Sequence, residues 1–295
     1  MPKMQRVSDI VINFLENLGI DTLFTLTGGG AMFLNDATAL SKKIKPICNH
    51  HEQACAMGAV GYSKIKNDFG AVILTTGCGS TNALTGLLDA WQDNNPIIFI
   101  SGNVKSKETG FKAQTPLRQF GVQEANIIEI VKSITKYSAV VDEAKDILFH
   151  LEKAKYYAKH RRPGPVWIDI PMDIQGALVD CKELKSFKPP NLKFLKPNYL
   201  NELNTELRKS KRPILIAGNG IRLGNSIDEL KNFVEKYKIP FVVSYLSTDI
   251  LPSNHPQYIG KIGIKGERAA NFSLQNADFI LSVGCRLSVA LTGFE

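Results

Sequence analysis

Cysteine is scarce in this sequence and badly spaced for structural use. The five cysteines, Cys48, Cys55, Cys78, Cys181 and Cys285, form no CxxC pair, and an odd count argues against a disulfide framework. That pattern predicts a reducing, cytoplasmic setting. Long apolar runs are missing too. None approaches the roughly eighteen residues of a membrane helix, so no membrane span is expected. Met1 to Asp9 is polar and mixed, without the apolar core of a signal peptide. There is no short-period repeat, and no phosphate loop with a GK[ST] ending. A zinc-protease helix is excluded as well: His51-Glu52 begins like HExxH, but position 55 is Cys. His50 and His51 are adjacent, poorly placed to share a metal, and are read as structural.

What is present describes a soluble globular protein. Of 295 residues, 44% are hydrophobic and 22% charged, which excludes disorder and leaves room for two domains, each with its own core. The net charge is +8, yet Lys and Arg are interleaved with Asp and Glu. Only short clusters occur, at Lys42-Lys43 and Lys159 to Arg162, so a lysine-rich solvated surface is favoured over a nucleic-acid footprint. A positive field also suits an anionic cofactor.

Short apolar runs alternate with helical patterns. Strands are expected at Thr22–Leu26, Ile44–Cys48, Ala71–Thr75, Pro96–Ile100 and Pro165–Ile170, with helices near 31–40, 52–66, 83–91, 127–131 and 144–159. This rhythm predicts a parallel sheet covered on both faces. A proline- and lysine-rich stretch then reads as a linker, 184–197. The rhythm restarts with strands at Pro213–Ala217, Phe241–Ser244 and Phe279–Val283 and a helix at Ile227–Tyr237. The expectation is α/β: two doubly wound parallel-sheet domains, 1–183 and 198–295, the second incomplete.

In open parallel sheets ligands bind beyond the carboxyl ends of the strands. Three segments there carry chemistry. Gly28-Gly29-Gly30 frees the backbone for close approach of a ligand, or simply forms a flexible turn. Glu52 falls at a strand-to-helix junction. A partly desolvated carboxyl there can act as an acid or hydrogen-bond donor near neutrality, or it is a first-turn residue favoured by the helix dipole. Ala54, Ala56, Gly58, Ala59 and Gly61 let its helix pack closely on a neighbour. Gly77-Cys78-Gly79-Ser80-Thr81-Asn82 offers a tight turn, helix-capping side chains, and a Gly79 backbone and Asn82 amide suited to a flat polar ligand. Cys78 is expected to be a small buried residue rather than a nucleophile, because no fixed base lies beside it.

The ordered segments HHEQACAMGAVGYSK, TTGCGSTNALTGLLDAWQDNNPIIFISG and GPVWIDIPMDIQGA resemble the thiamine-diphosphate enzymes of the acetolactate synthase type. RPILIAGNGIRLGN through ADFILSVGCRLS resembles the start of their central domain, so the likeness runs the length of the chain. RQFGVQEANIIEIVKSITKY and GCRLSVALTG look closer to the branch of sugar and surface-polysaccharide pathways. The resemblance implies that 1–183 is a pyrimidine-binding domain and 198–295 part of a Rossmann-like central domain. It implies that the Glu52 carboxyl hydrogen-bonds the aminopyrimidine N1′ and so prepares the cofactor to decarboxylate a 2-keto acid such as pyruvate and pass the product carbon to a second carbonyl. Gln123 matches a glutamine near the substrate, and Gly28, Gly29, Gly30, Gly79 and Asn82 would line the pyrimidine side. Two departures bear on the substrate: Leu26-Thr27 replaces Tyr-Pro, and Gly77 to Asn82 replaces Gly-Pro-Gly-Ala-Thr-Asn. Some family members hold FAD in the central domain, with Arg222 and Arg286 as candidate contacts here. The third glycine of Gly218-Asn219-Gly220-Ile221-Arg222-Leu223-Gly224 is one residue late for a dinucleotide fingerprint, which favours a turn.

The family holds the diphosphate through Mg²⁺ with a Gly-Asp-Gly motif and a later Asn, and no Gly-Asp-Gly occurs in this sequence. The resemblance implies a homodimer or larger assembly, because family sites form between two chains, and the missing motif implies a second chain supplying the pyrophosphate-binding domain, with the isolated chain inactive. The other readings are a non-catalytic remnant or regulatory subunit, and an unrelated α/β nucleotide-binding module. Intact Glu52 and Gln123 favour the enzyme.

Overall fold

A run that is apolar at every position has no polar face to turn to water, and in this protein such runs become central parallel strands. The computed structural model describes residues 4–110, 117–191 and 199–294. It divides into two compact units, Met1–Asn191 and Leu192–Glu295. In the first, the strands are β1 Met4–Arg6, β2 Thr22–Thr25, β3 Lys45–Cys48, β4 Gly70–Leu74, β5 Ile97–Asn103, β6 Tyr137–Val140, β7 Val166–Pro171 and β8 Leu178–Asp180. Its helices are α1 Val7–Asn17, α2 Met32–Leu40, α3 Glu52–Lys66, α4 Cys78–Asn82, α5 Leu84–Asp93, α6 Ile127–Val131, α7 Ile147–Lys159 and α8 Met172–Gly176. Six strands form one parallel sheet in the order β3-β2-β4-β5-β7-β6, and β1 pairs antiparallel with β8.

Alternate residues of β4, β5 and β7 feed two separate cores. Ile73, Ile98, Ile100 and Ile168 meet Leu15 of α1, Leu34 of α2 and Leu151 of α7 on one face. Val72, Leu74, Phe99 and Trp167 meet Ala59 of α3, Leu87 of α5 and Val131 of α6 on the other. Phe99 and Trp167 stack there, ring centroids 4.9 Å apart. The small residues of α3 do what their sizes suggest. A Cβ on Gly58 would come within 2.6 Å of the Phe24 ring, and Gly86 of α5 leaves no room for one against Ala56.

The sheet order sets the site. From β2 the chain passes to β3 on one side, then returns to β4 on the other. The connections after β2 and β4 leave in opposite directions and open a crevice at the carboxyl end of the sheet. The sequence-based strands and helices fall within a few residues of these elements, but strands β1, β6 and β8 and helices α1, α4 and α8 go unread. β6 is a half-buried strand outside β7, paired with it from Tyr137–Val166 to Val140–Asp169, and its mixed composition hides it. The helix expected at 83–91 is α5, and the short α4 before it occupies the stretch read as a loop. Within the stretch read as a linker, Ser186 Oγ and Phe187 N donate to Glu152 of α7 and the Phe187 ring meets Phe149, Tyr156 and Tyr157. Residues 192–197 of that stretch lie outside the described residues.

The second unit has strands β9 Pro213–Ala217, β10 Phe241–Val243, β11 Tyr258–Lys261 and β12 Phe279–Val283, all parallel in the order β11-β10-β9-β12. Helices α9 Leu200–Lys209, α10 Gly220–Leu223, α11 Ile227–Tyr237, α12 Arg268–Gln275 and α13 Val289–Thr292 accompany them. Leu215, Phe241 and Val243 pack with Leu230 and Val234 of α11, while Ile214, Ile216 and Val242 pack with Ala270 of α12. Asp278 ties the start of β12 to that of β9: it accepts from Ser210 Oγ and from the amides of Lys211 and Arg212, each amide at 2.9 Å. These bonds, Ser210 foremost, hold its carboxyl down to about 2 from 3.8. A depressed carboxylate stabilises the fold above its unfolded value and loses that contribution as pH falls through the folded one. Asp278→Ala is therefore expected to differ in stability from the wild type above about pH 4 and to converge with it toward pH 2. Parallel denaturant curves across that range test this, and a constant difference down to pH 2 would refute it.

Candidate active site

Glu52 is the first residue of α3, and His51 is its N-cap, with Nδ1 accepting from the Gln53 amide at 3.1 Å. This gives His51 a structural task and turns the next side chain inward. Glu52 is 7% exposed. Asn82 Nδ2 donates to Glu52 Oε2 at 2.9 Å, across thirty residues of sequence. Glu52 Oε1 accepts no hydrogen bond among the described residues, and a Cβ on Gly79 would lie 3.1 Å from it. The carboxyl thus has one oxygen held and the other uncommitted, above a backbone stripped of side chain.

The segment after β4 is arranged differently from its sequence expectation. Cys78 is exposed, not buried; Gly77, Gly79 and Ser80 are the residues turned inward. Helix capping is not what its polar residues do either. Ser80 Oγ donates to Thr75 O at 2.6 Å, Thr81 Oγ1 donates to Cys78 O at 3.2 Å, and Asn82 reaches Glu52. Cys55, one turn beyond Glu52, is a buried thiol whose pKa burial pushes up, which makes it a poor nucleophile.

The glycines after β2 serve different ends. Gly28 leaves no room for a Cβ against Thr75, and the same Thr75 methyl would meet a Cβ on Gly79 at 2.5 Å. Gly30 is closed by Thr76 Oγ1, and its carbonyl packs on Gly102 of β5. Gln175 Nε2 fastens the turn by donating to Gly30 O and Ile170 O, both at 2.7 Å. Gly29 alone is open: nothing lies within 4 Å of a Cβ there. Two of the three glycines are therefore small because protein packs on them. Thr75, Thr76, Gly102 and Gln175 were not singled out from sequence, and no local pattern marks them.

Gln123 is exposed and sits in a left-handed turn, φ +61. Its carbonyl packs on Gly77, so the turn joins the segment that carries Gly79 and Asn82. The tertiary structure thus brings Glu52, Gly79 and Asn82 into direct contact, links Gly28 to them through Thr75, and places the Gln123 turn beside Gly77. Among the described residues no group of three or more His, Cys, Asp or Glu converges as a metal site.

In the second unit Gly218 and Gly220 press on the Gly284 backbone, as expected of a tight turn. Arg222 is engaged: Nη2 pairs with Asp249 at 2.6 Å, and Nη1 reaches Asn219 and the Leu246 carbonyl. That pairing pulls the Asp249 carboxyl below its ordinary range. No helix among the described residues is long and apolar enough to cross a membrane.

Comparison with known proteins gives two family matches. Residues 5–135 match the thiamine pyrophosphate enzyme N-terminal TPP binding domain, and residues 200–294 match the thiamine pyrophosphate enzyme central domain. Among similar proteins, an acetolactate synthase large subunit of Lactococcus lactis is 37% identical over 289 residues, 95% of this chain and 48% of that protein. A chloroplastic acetolactate synthase of Arabidopsis thaliana is 32% identical over 291 residues, 97% of this chain and 42% of that protein. A probable acetolactate synthase large subunit of Methanocaldococcus jannaschii is 29% identical over 294 residues, 97% of this chain and 48% of that protein. The chain spans less than half the length of each of these curated relatives.

Proposed function

Because this chain carries the N-terminal TPP-binding and central domains of an acetolactate synthase-like thiamine pyrophosphate enzyme, we propose that its first unit holds the pyrimidine half of thiamine diphosphate at the β2–β4 crevice and serves 2-keto acid decarboxylation and carboligation. The observation that carries this reading is the Glu52 carboxyl: buried, held at Oε2 by Asn82, and uncommitted at Oε1 over Gly79. Thiamine diphosphate, when bound, supplies a nucleophilic carbon and a sink for the electrons released with carbon dioxide. The residues fit its flat aminopyrimidine. Gly79 presents bare backbone beneath Oε1, and Gly29 presents an open backbone face beside the same crevice.

Glu52 has the central task. Asn82 keeps Oε2 an acceptor, so a proton on the carboxyl resides at Oε1, where it can be shared with a ring nitrogen. Burial strengthens that hydrogen bond by removing competing water. Gln123, on its turn beside Gly77, is assigned to the substrate side, where an amide suits the carboxylate of a 2-keto acid such as pyruvate. The diphosphate and Mg²⁺ are assigned to another polypeptide or another part of a homodimeric or larger assembly. Two of the relatives are themselves named large subunits. A reducing, cytoplasmic setting belongs to this reading and accords with five free cysteines.

If the chain contacts only the pyrimidine, phosphates should add nothing to binding. Thiamine and thiamine diphosphate with Mg²⁺ are each expected to bind the isolated chain more weakly than about 100 µM, within about threefold of each other. Calorimetric titration tests this. Micromolar affinity confined to the diphosphate would place a phosphate site on these residues and overturn the division of labour.

A further inference from the structure

The turn that carries Gln123 is held by a carboxylate that the proposed chemistry does not use. Glu124, the next residue, accepts from the Gly110 amide with both oxygens, at 3.0 and 2.8 Å, and from the Gly121 amide at 2.9 Å. Both glycines are buried, and neither amide has a backbone acceptor among the described residues. Neither tolerates a side chain: a Cβ on Gly110 would lie 2.7 Å from Glu124 Oε1, and one on Gly121 2.6 Å from Glu108 O. On the other side of the turn, Asn103 Nδ2 donates to Ala125 O at 3.4 Å and to Asp169 Oδ2 at 2.7 Å. Asp169 is 1% exposed and also accepts from Ser101 Oγ at 2.6 Å, which in turn accepts from Trp167 Nε1 at 2.8 Å. The turn is therefore anchored at residue 124 by a charge-assisted clamp on two amides and at residue 125 by a polar chain rooted in β5 and β7.

We propose that Glu124 is a positioning residue: by bridging the Gly110 and Gly121 amides it fixes the left-handed turn that presents Gln123 to the crevice. Ionised acceptors make the stronger hydrogen bonds, and a single carboxylate shared by two amides holds those two points of the backbone against residue 124. The kinetic part of this proposal rests on the assignment of Gln123 to the substrate; the clamp itself does not.

Amide exchange followed by NMR tests the clamp in the unaltered chain. The Gly110 and Gly121 protons are expected to exchange at least about tenfold more slowly than free peptide, although neither belongs to an α-helix or a strand. In Glu124→Gln, which keeps the length but opposes an amide N–H with an NH₂, both should exchange about tenfold faster while β4 and β5 stay protected. Unprotected glycines in the wild type, or unchanged exchange in the variant, would overturn the clamp. In the assembly that supports turnover, Glu124→Gln and Gln123→Ala should each raise KM for the 2-keto acid about tenfold with kcat changed by less than about threefold. Glu124→Asp, one methylene shorter, should fall between. A wild-type KM in the Glu124 variants alongside a raised one in Gln123→Ala would overturn the positioning role. Unchanged constants in Gln123→Ala, with the exchange result standing, would instead remove Gln123 from the substrate and leave the clamp.

Discussion

Glu52→Gln is expected to lower turnover of the 2-keto acid by about 10²–10⁴-fold in the assembly that supports it. Gln keeps the length of the side chain, and its amide oxygen can still accept from Asn82 Nδ2, so the local packing survives. What disappears is the carboxyl oxygen at the uncommitted position over Gly79, the atom assigned to exchange a proton with the ring. The loss should therefore appear in kcat and kcat/KM together, the signature of an interaction made in the transition state. Glu52→Asp, which retracts the carboxyl by one methylene, should lose less than Gln if proton exchange matters more than reach. The measurement is carbon dioxide release under steady state, with thermal unfolding recorded beside it. Wild-type turnover in Glu52→Gln would end the assigned role. A loss of activity matched by a collapse in melting temperature would make Glu52 a structural acid at a helix start.

Gly77→Ala should be the most destabilising of the glycine substitutions around the crevice, by about 2–6 kcal/mol. Gly77 has φ +63 and ψ −116, a conformation open to glycine and strained for any L side chain, at roughly 1–3 kcal/mol. A Cβ would also overlap the Gln123 carbonyl oxygen and lie 3.1 Å from its carbon. Those are backbone atoms, so relief requires moving the anchored turn, at a further 1–3 kcal/mol or so. Gly29→Ala is the control. It has open space around it and should change stability by less than about 1 kcal/mol. Denaturant midpoints for the pair decide the matter: equal midpoints would show that the Gly77 contact is not part of the native structure in solution.

The two substitutions also separate what can be read from the chain from what cannot. Glu52 was legible because a carboxylate at a strand-to-helix junction lies, in any parallel α/β sheet, at the edge where ligands bind. The run of Ala and Gly behind it announced a closely packed helix, and α3 follows the expected 52–66 to the residue. The three glycines after β2 were legible as a turn, though not in their separate duties. Only in the folded chain do Thr75 and Thr76 occupy the space that Gly28 and Gly30 leave, so that Gly29 alone keeps an open face. Cys78 was misread for a related reason. Residue type indicates that a small side chain can be buried, but the path of the turn decides that Gly79 and Ser80 face inward and Cys78 does not.

The sequence by itself determined the fold class, the main strands and helices, the family resemblance, and the placing of a carboxylate and a glycine turn at the carboxyl edge of the sheet. All of these rest on local periodicity or on ordered motifs, which survive in one dimension. Tertiary structure alone decided which partners complete them. Asn82 with Glu52, Gly77 with Gln123, and Asn103 with Asp169 are pairs brought together by crossover connections between parallel strands. Such connections place strand ends side by side regardless of the distance between them along the chain, as with β6, which follows β5 in sequence yet lies outside β7. Hydrogen bonds and close contacts depend on that spatial order, to within tenths of an ångström, and no local pattern of residues carries it.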